Sequence, residues 1–279
     1  MKIFDCFMYF DEDVVLDVRL NLLSKHVDKF VIIESKYNHK GDERQPLFNI
    51  NKFDKFRDKI IYILKSDIPE GIEKIQTSDN EDEIYRKSIF NAWKRENLQR
   101  NQIMDGILDA DKDDWIIVSD LDEIPNLEKI NFNTIENKLI FFEQHMIYYK
   151  FNLKLENFIW FGSKACKFKN LKSPQWLRDI KIKKKSFWKI FSEKIQIIDN
   201  GGWHFSFLKN PESIRNKIIS YSHQEYNKKE FTNTDLIRKR ISLGEDLFKR
   251  KINYKKIELD HSFPEYIIKN KERFKDWIV

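Results

Sequence analysis

Residues 113–126 read DDWIIVSDLDEIPN, an apolar run from Trp115 to Val118 that ends in Asp120, Asp122 and Glu123. A buried strand that stops in clustered carboxylates needs a counter-charge, because like charges this close repel and raise one another's pKa. Extended backbone alternates faces, which puts Asp120 and Asp122 on one side with Leu121 between them. Two carboxylates on one side suit a hard divalent ion, Mn2+ or Mg2+, and the scarcity of cysteine argues against zinc. A turn in which an Asp caps a short helix near Asn126 accounts for the same residues. Both readings stand at this level.

The elements that would position these acids are legible from periodicity. KIFDCFMYF reads as a buried first strand, and Leu16, Leu20, Leu23 and Val27 recur at helical spacing. KFVIIES is a second strand ending at Glu34, and KIIYILKS a third ending near Asp67. Strand, helix, strand in this order predicts parallel βαβ pairing in an α/β fold. Ligands in such sheets bind beyond the carboxyl ends of the strands, where Glu34, Asp67 and the Asp120 cluster all fall. A polar loop over 66–83 leads into a long helix over about 82–109. Its stripe, Ile89, Trp93, Glu96, Arg100, Ile103 and Ile107, places two charged residues on the inward face. They are either an i,i+4 ion pair at the stripe's edge or the wall of a polar cavity. Residues 138–153 read as one or two strands, and GGWHFSFL (201–208) as a short strand opened by two glycines. After Pro211 the pattern is helical to about 225 and again over 234–249. No repeat or linker interrupts the 279 residues, which predicts one domain.

Composition removes several classes of function. With 41% apolar residues, 14% aromatic and 23 Phe, the chain is globular with an aromatic core. Two cysteines make no disulfide framework and point to a reducing, cytoplasmic setting. The N-terminal apolar run is broken by Asp5, unlike a signal peptide, and no stretch approaches a membrane span of about 20 residues. The net charge of +6 is small against 51 basic and 45 acidic residues, so no nucleic-acid partner is expected. One dense basic run, KIKKKSFWK (181–189), is a solvated face or a contact for an anionic partner.

FMYFDEDVVLDVRLNLL, VDKFVIIESKYNHKGDERQPLF, RENLQRNQIMDGI, VSDLDEIP, GGWHFSF and KIISYSHQEY occur in this order over about 250 residues. In that ensemble the sequence resembles glycosyltransferase family 17, the β-1,4-mannosyl-glycoprotein β-1,4-N-acetylglucosaminyltransferases. The resemblance implies a GT-A type fold with a Rossmann-like nucleotide-sugar-binding domain. In that reading residues 1–125 form the nucleotide-binding half and 126–279 the acceptor side. It implies inverting transfer of N-acetylglucosamine from UDP-GlcNAc to a glycan acceptor, with an Asp-x-Asp motif holding Mn2+ on the diphosphate. Asp120 and Asp122 match that motif. The lysine-rich segment at 181–194 and the absence of an N-terminal anchor set the sequence apart from the animal members. Bacterial or viral surface glycan is therefore the expected acceptor.

Roles follow for other residues. His204 in GGWHFSF is expected to complete the metal shell, or else to be a core histidine between Trp203 and Phe205; Gly201 and Gly202 allow close backbone approach there. Glu34 and His39 are expected beside the nucleotide, and Arg95 and Arg100 on donor phosphate or sugar, Arg100 being better placed on its stripe. Inversion needs a general base. Asp179, after the sugar-stacking candidate Trp176, is named for it, with Glu225 and Asp246 as surface alternatives and His223 as a packing residue. Two rival functions share some of these features. One is a metal-dependent nuclease or phosphohydrolase; the other is a non-catalytic carbohydrate-binding protein using Trp160, Trp176 and Trp203.

Overall fold

The computed structural model describes residues 1–181, 195–221, 224–250, 252 and 254–279. Most of the basic run and His223 lie outside the described residues. Strands β1 (Ile3–Met8), β2 (Lys29–Ser35), β3 (Ile60–Lys65) and β4 (Trp115–Asp120) pair in parallel in the order β3-β2-β1-β4. β1, β2 and β4 are near-continuous apolar runs, as strands covered on both faces must be. Helix α1 (Asp13–Leu23) buries Leu16, Leu20 and Leu23 completely. Val27, the last member of that stripe, is buried beyond the helix end.

Helix α2 (Glu81–Asn101) starts at a capping box. Asn80 Oδ1 accepts from the Glu83 amide at 2.9 Å, and Glu83 Oε2 accepts from the Asn80 amide at 2.9 Å. It passes into a 3-10 turn, Gln102–Gly106, earlier than the apolar spacing predicts. Trp93 is 51% exposed, so the predicted stripe is not the inward face along the whole helix. Asn91, Ala92, Gln99 and Arg100 are the buried positions, and the inward face is largely polar.

The second half of the sheet is mixed. β6 (Leu139–Tyr148), β7 (Leu153–Trp160), β8 (Lys164–Lys167) and β10 (Tyr254–Lys256) extend it in the order β10-β7-β6-β8-β4, with antiparallel pairing throughout. β9 (Ile195–Ser206) runs parallel to β6 and antiparallel to the short β5 (Glu123–Pro125). The segment 115–125 is therefore two strands joined by a turn at Leu121 and Asp122, not one strand. Helices α3 (Pro174–Asp179), α4 (Pro211–Ser220), α5 (Lys229–Thr232), α6 (Thr234–Leu243) and α7 (Glu265–Lys269) complete a mixed α/β structure. Among the described residues no helix is long and apolar enough to cross a membrane.

Candidate active site

A cavity of about 450 Å3 opens beyond the carboxyl end of β4. Asp120, Asp122 and Glu123 line it with Glu12 from the β1–α1 connection, His204 from β9 and Lys217 from α4. The β4–β5 turn that carries the acids is held from below by Arg19. This fully buried guanidinium donates from Nη1 to the carbonyls of Asp120, Leu121 and Glu123 at 3.2, 3.0 and 2.8 Å. Its Nε and Nη2 donate to the Asp5 carboxylate at 2.7 and 2.5 Å. The backbone that presents the acids is thereby fixed by a planar fork with every donor used.

The turn sends Asp120 and Asp122 to different partners, so strand alternation does not place them together. Asp120 accepts from Arg100 Nη2 at 3.1 Å and Arg178 Nη2 at 2.8 Å. Arg178 also donates to Glu123 Oε1 at 2.6 Å. Glu123 is fully buried and takes further bonds from the Asp120 amide at 2.8 Å and the Trp160 indole at 2.6 Å. Gly162 makes room for it: a Cβ there would lie 2.2 Å from the Glu123 carboxyl carbon. Arg100 is tied to Glu96 at 2.7 Å, and Glu96 lines the cavity, so both readings of that pair hold at once.

Asp122 faces a different set. Lys217 Nζ donates to its Oδ2 at 3.0 Å, and His204 Nε2 stands 3.5 Å from its Oδ1. Lys217 is also 3.7 Å from Glu12, which pairs with Lys209 at 3.3 Å. β9 alternation turns Trp203 and Phe205 into the core and His204 toward the cavity. Gly202, at φ 147°, lets β9 approach β5 so closely that a Cβ would sit 2.2 Å from the Ile124 carbonyl oxygen. The close approach expected of the glycines is thus to protein backbone.

Burial alone would raise the carboxyl pKa values, but the cations prevail. Arg178 and Arg100 hold Asp120 well below the usual carboxylate range, and Lys217 and His204 do the same for Asp122. Burial would lower the His204 pKa, yet the Asp122 carboxylate keeps it raised. His39 shows burial prevailing: its pKa is lowered, and its Nε2 is 3.0 Å from Gln99 Oε1.

Of the residues expected to act, the cavity gathers Asp120, Asp122, His204 and His39, with Arg100 bonded to Asp120 from behind. Three others lie outside its lining. The buried Glu34 accepts from the amides of Leu47 and Phe48, from the Tyr62 hydroxyl, and from Arg44 at 2.9 Å; its work is to anchor the 36–48 loop. Arg95 donates to the carbonyls of His39 and Lys40 and lines a smaller neighbouring pocket, as does Asp67. Asp179 is exposed at the end of α3 and accepts from Gln175 at 2.9 Å. Asp246 is buried and bonded to Arg250 and Tyr254, whereas Glu225 lines the cavity. Glu12, Arg178 and Lys217 were missed as site residues, and Trp160 was named only as a stacking surface of the carbohydrate-binding rival. Glu12 is the middle residue of the acidic DED that follows the first strand, Arg178 stands beside Asp179, and Lys217 opens the KIISYSHQEY segment, so each lay next to a signal already in view.

A family model, glycosyltransferase family 17, matches residues 1–276. The chain belongs to glycosyltransferase family 17. A family 17 chain is a glycosyltransferase, an enzyme that binds a sugar donor and an acceptor. No curated protein matches the sequence. Among solved structures, HddC from Yersinia pseudotuberculosis matches at 8% identity, covering 74% of this chain and 91% of that one, with a TM-score of 0.32. The same protein complexed with GMP-PN matches at 10% identity, covering 71% and 90%, with a TM-score of 0.28. Likeness this slight carries no argument about fold or function.

The donor set also bears on a divalent ion. Among the described residues, no three His, Cys, Asp or Glu side chains converge at metal-binding spacing. Two suffice where substrate phosphates and water supply the rest, as is common for Mg2+. Asp122 Oδ1 and His204 Nε2, at 3.5 Å, are near the separation of two ligands each about 2.1 Å from one ion. His204 Nδ1 is buried with no hydrogen-bond partner among the described residues, so no bond on that side commits the ring's tautomer. The pair fits a Mn2+ or Mg2+ ion. Asp120 fits less well, because an arginine holds each of its oxygens.

Proposed function

We propose that this family 17 enzyme is a metal-dependent, inverting transferase of GT-A type that moves N-acetylglucosamine from UDP-GlcNAc to a glycan acceptor. The observation that carries the reading is the Asp122–His204 pair, facing a cavity at the carboxyl end of β4 with Lys217 beside it. Asp122 and His204 would hold the ion, and a bound divalent ion supplies neutralising charge to the departing diphosphate. Lys217 adds a fixed positive charge on the same side, on a stem flexible enough to turn from Asp122 to a phosphate. Arg100 and Arg178 act indirectly by keeping Asp120 ionised and the turn rigid. His39 and Gln99 border both this cavity and the small pocket beside it, where the nucleoside end of the donor would lie.

The acceptor hydroxyl oxygen attacks the anomeric carbon from the face opposite the diphosphate. The bond from that carbon to the phosphate oxygen breaks with its electron pair on the diphosphate, and the hydroxyl proton passes to a carboxylate. Glu225, on the 3-10 turn Gln224–Tyr226 at the cavity, takes this role in place of the outlying Asp179.

The donor assignment is tested by incubating the enzyme and Mn2+ with UDP-GlcNAc, UDP-glucose, UDP-galactose and GDP-mannose and measuring the nucleoside diphosphate released. Fastest release from UDP-GlcNAc is expected. Faster release from GDP-mannose would overturn the nucleotide, and faster release from another UDP-sugar would overturn the sugar.

A further inference from the structure

We propose that Phe158 and Trp160 form a shelf on which successive pyranose rings of the acceptor glycan stack, so that the enzyme prefers acceptors of two or more sugars. This rests on membership of the glycosyltransferase family and on the acid end of the cavity being the donor side.

Alternation along β7 puts Phe158 and Trp160 on one face. Their rings are nearly parallel, 16° apart, with centroids separated by 6.4 Å, and both line the cavity. Trp160 is the inner ring. Its indole nitrogen is fixed to Glu123, and its face lies 5.5 Å from His204 by ring centroids. Phe158 is the outer ring, 43% exposed at the mouth. A single exposed phenylalanine would need no explanation. A stacked pair running from the reacting end of a sugar-transferring cavity to solvent does.

The backbone is shaped to present this pair. β6 pairs His145 with Ile159 and Ile147 with Lys154. Between those pairs β6 has one residue, Met146, and β7 has four, 155–158, so β7 bulges outward there. Asn157 turns the bulge with φ 55°, a conformation Asn tolerates better than most residues. Bulges beside active sites re-aim side chains, and this one aims Phe158 over the cavity mouth. The C–H faces of a pyranose match the negative faces of aromatic rings, as apolar, weakly positive edges do. The other tryptophans considered for sugar stacking do not offer such a face. Trp203 is 5% exposed and donates to the Ser262 carbonyl, and Trp176 packs under Lys172 against the apolar core that holds Ile116, Cys166 and Leu177.

The test compares the native enzyme with Phe158→Ala and Phe158→Tyr on a glycan array with UDP and Mn2+ present, alongside UDP release from UDP-GlcNAc without acceptor. The native enzyme should retain glycans of two or more residues in preference to single sugars. Phe158→Ala should weaken that retention about tenfold or more, the loss of one stacking ring, and Phe158→Tyr should restore it. Equal retention by Phe158→Ala, single sugars held as tightly as longer glycans, or no glycan retained by the native enzyme would each overturn the shelf. If UDP release persists in those cases, the donor reading survives the failure; if no donor is turned over, the fault lies in that reading.

Discussion

The two sides of the β4–β5 turn carry similar charges and hold them differently. On one side Asp120 and Glu123 are bonded to Arg100 and Arg178, whose planar forks accept no exchange of partner without leaving a buried cation unpaired. On the other, Asp122 meets a lysine, whose compact ammonium swings on a flexible stem, and a histidine at 3.5 Å, too far for a strong hydrogen bond. The arginine side keeps the turn in shape. In the proposed mechanism the lysine side hands its carboxylate to an incoming ion and its ammonium to a phosphate. The general lesson is that the identity of the cation beside a carboxylate, more than the carboxylate itself, separates scaffold from reacting group.

The sharpest way to break this comparison is to neutralise each acid in turn. Asp122→Asn should lower kcat/KM for transfer by about a thousandfold, a few kcal/mol of transition-state stabilisation. Asp120→Asn should do the reverse in emphasis. It removes one partner each from Arg100 and Arg178 and should cost about 1–3 kcal/mol of stability by urea denaturation. If Asp120→Asn proves the more damaging to catalysis and harmless to stability, the two sides have been assigned the wrong way round.

His204→Ala should weaken Mn2+ binding, measured by titration calorimetry, by at least about tenfold, while leaving the arginine side intact. A smaller effect is expected from acid. Asp120 and Asp122 have folded-state pKa values held below their ordinary range, so the stability they contribute is complete above about pH 4 and is lost as pH falls through the lower folded values. Unfolding free energy should therefore drop between pH 5 and pH 2, and the drop should be shallower in Asp120→Asn.

How much of this was visible in the sequence depends on what each residue touches. β2 was readable within a residue or so because a buried parallel strand is an uninterrupted apolar run, and β3, though only half-buried, carries a similar run. The Asp120–Asp122 cluster was readable because a strand rarely ends in so much charge. β5 was not, since its three residues follow β4 after a two-residue turn and pair with a strand some 80 positions later. Trp93 looked inward because spacing cannot show that Asn91, Ala92 and Gln99, off the predicted stripe, would share the buried face with Arg100 instead, the polar ones satisfied by bonds to the Glu73 and Ile33 backbone. Arg178 and Lys217 were hidden for the same reason: a basic residue reads as solvated until tertiary structure brings its carboxylate. Glu34 was overread, its donors being loop amides that only the folded 36–48 segment supplies.

The central claim is that Asp122, with His204, holds a divalent ion on a nucleotide diphosphate. It is met most directly by thermal denaturation of the native enzyme and Asp122→Asn with UDP, in Mn2+ and in excess chelator. UDP at about a hundred times its Kd should stabilise the native enzyme by about 2.7 kcal/mol, a rise of about 5 °C or more, with Mn2+ present. It should do nothing in chelator and nothing to Asp122→Asn. An equal rise in chelator, or an undiminished rise in Asp122→Asn, would contradict the account.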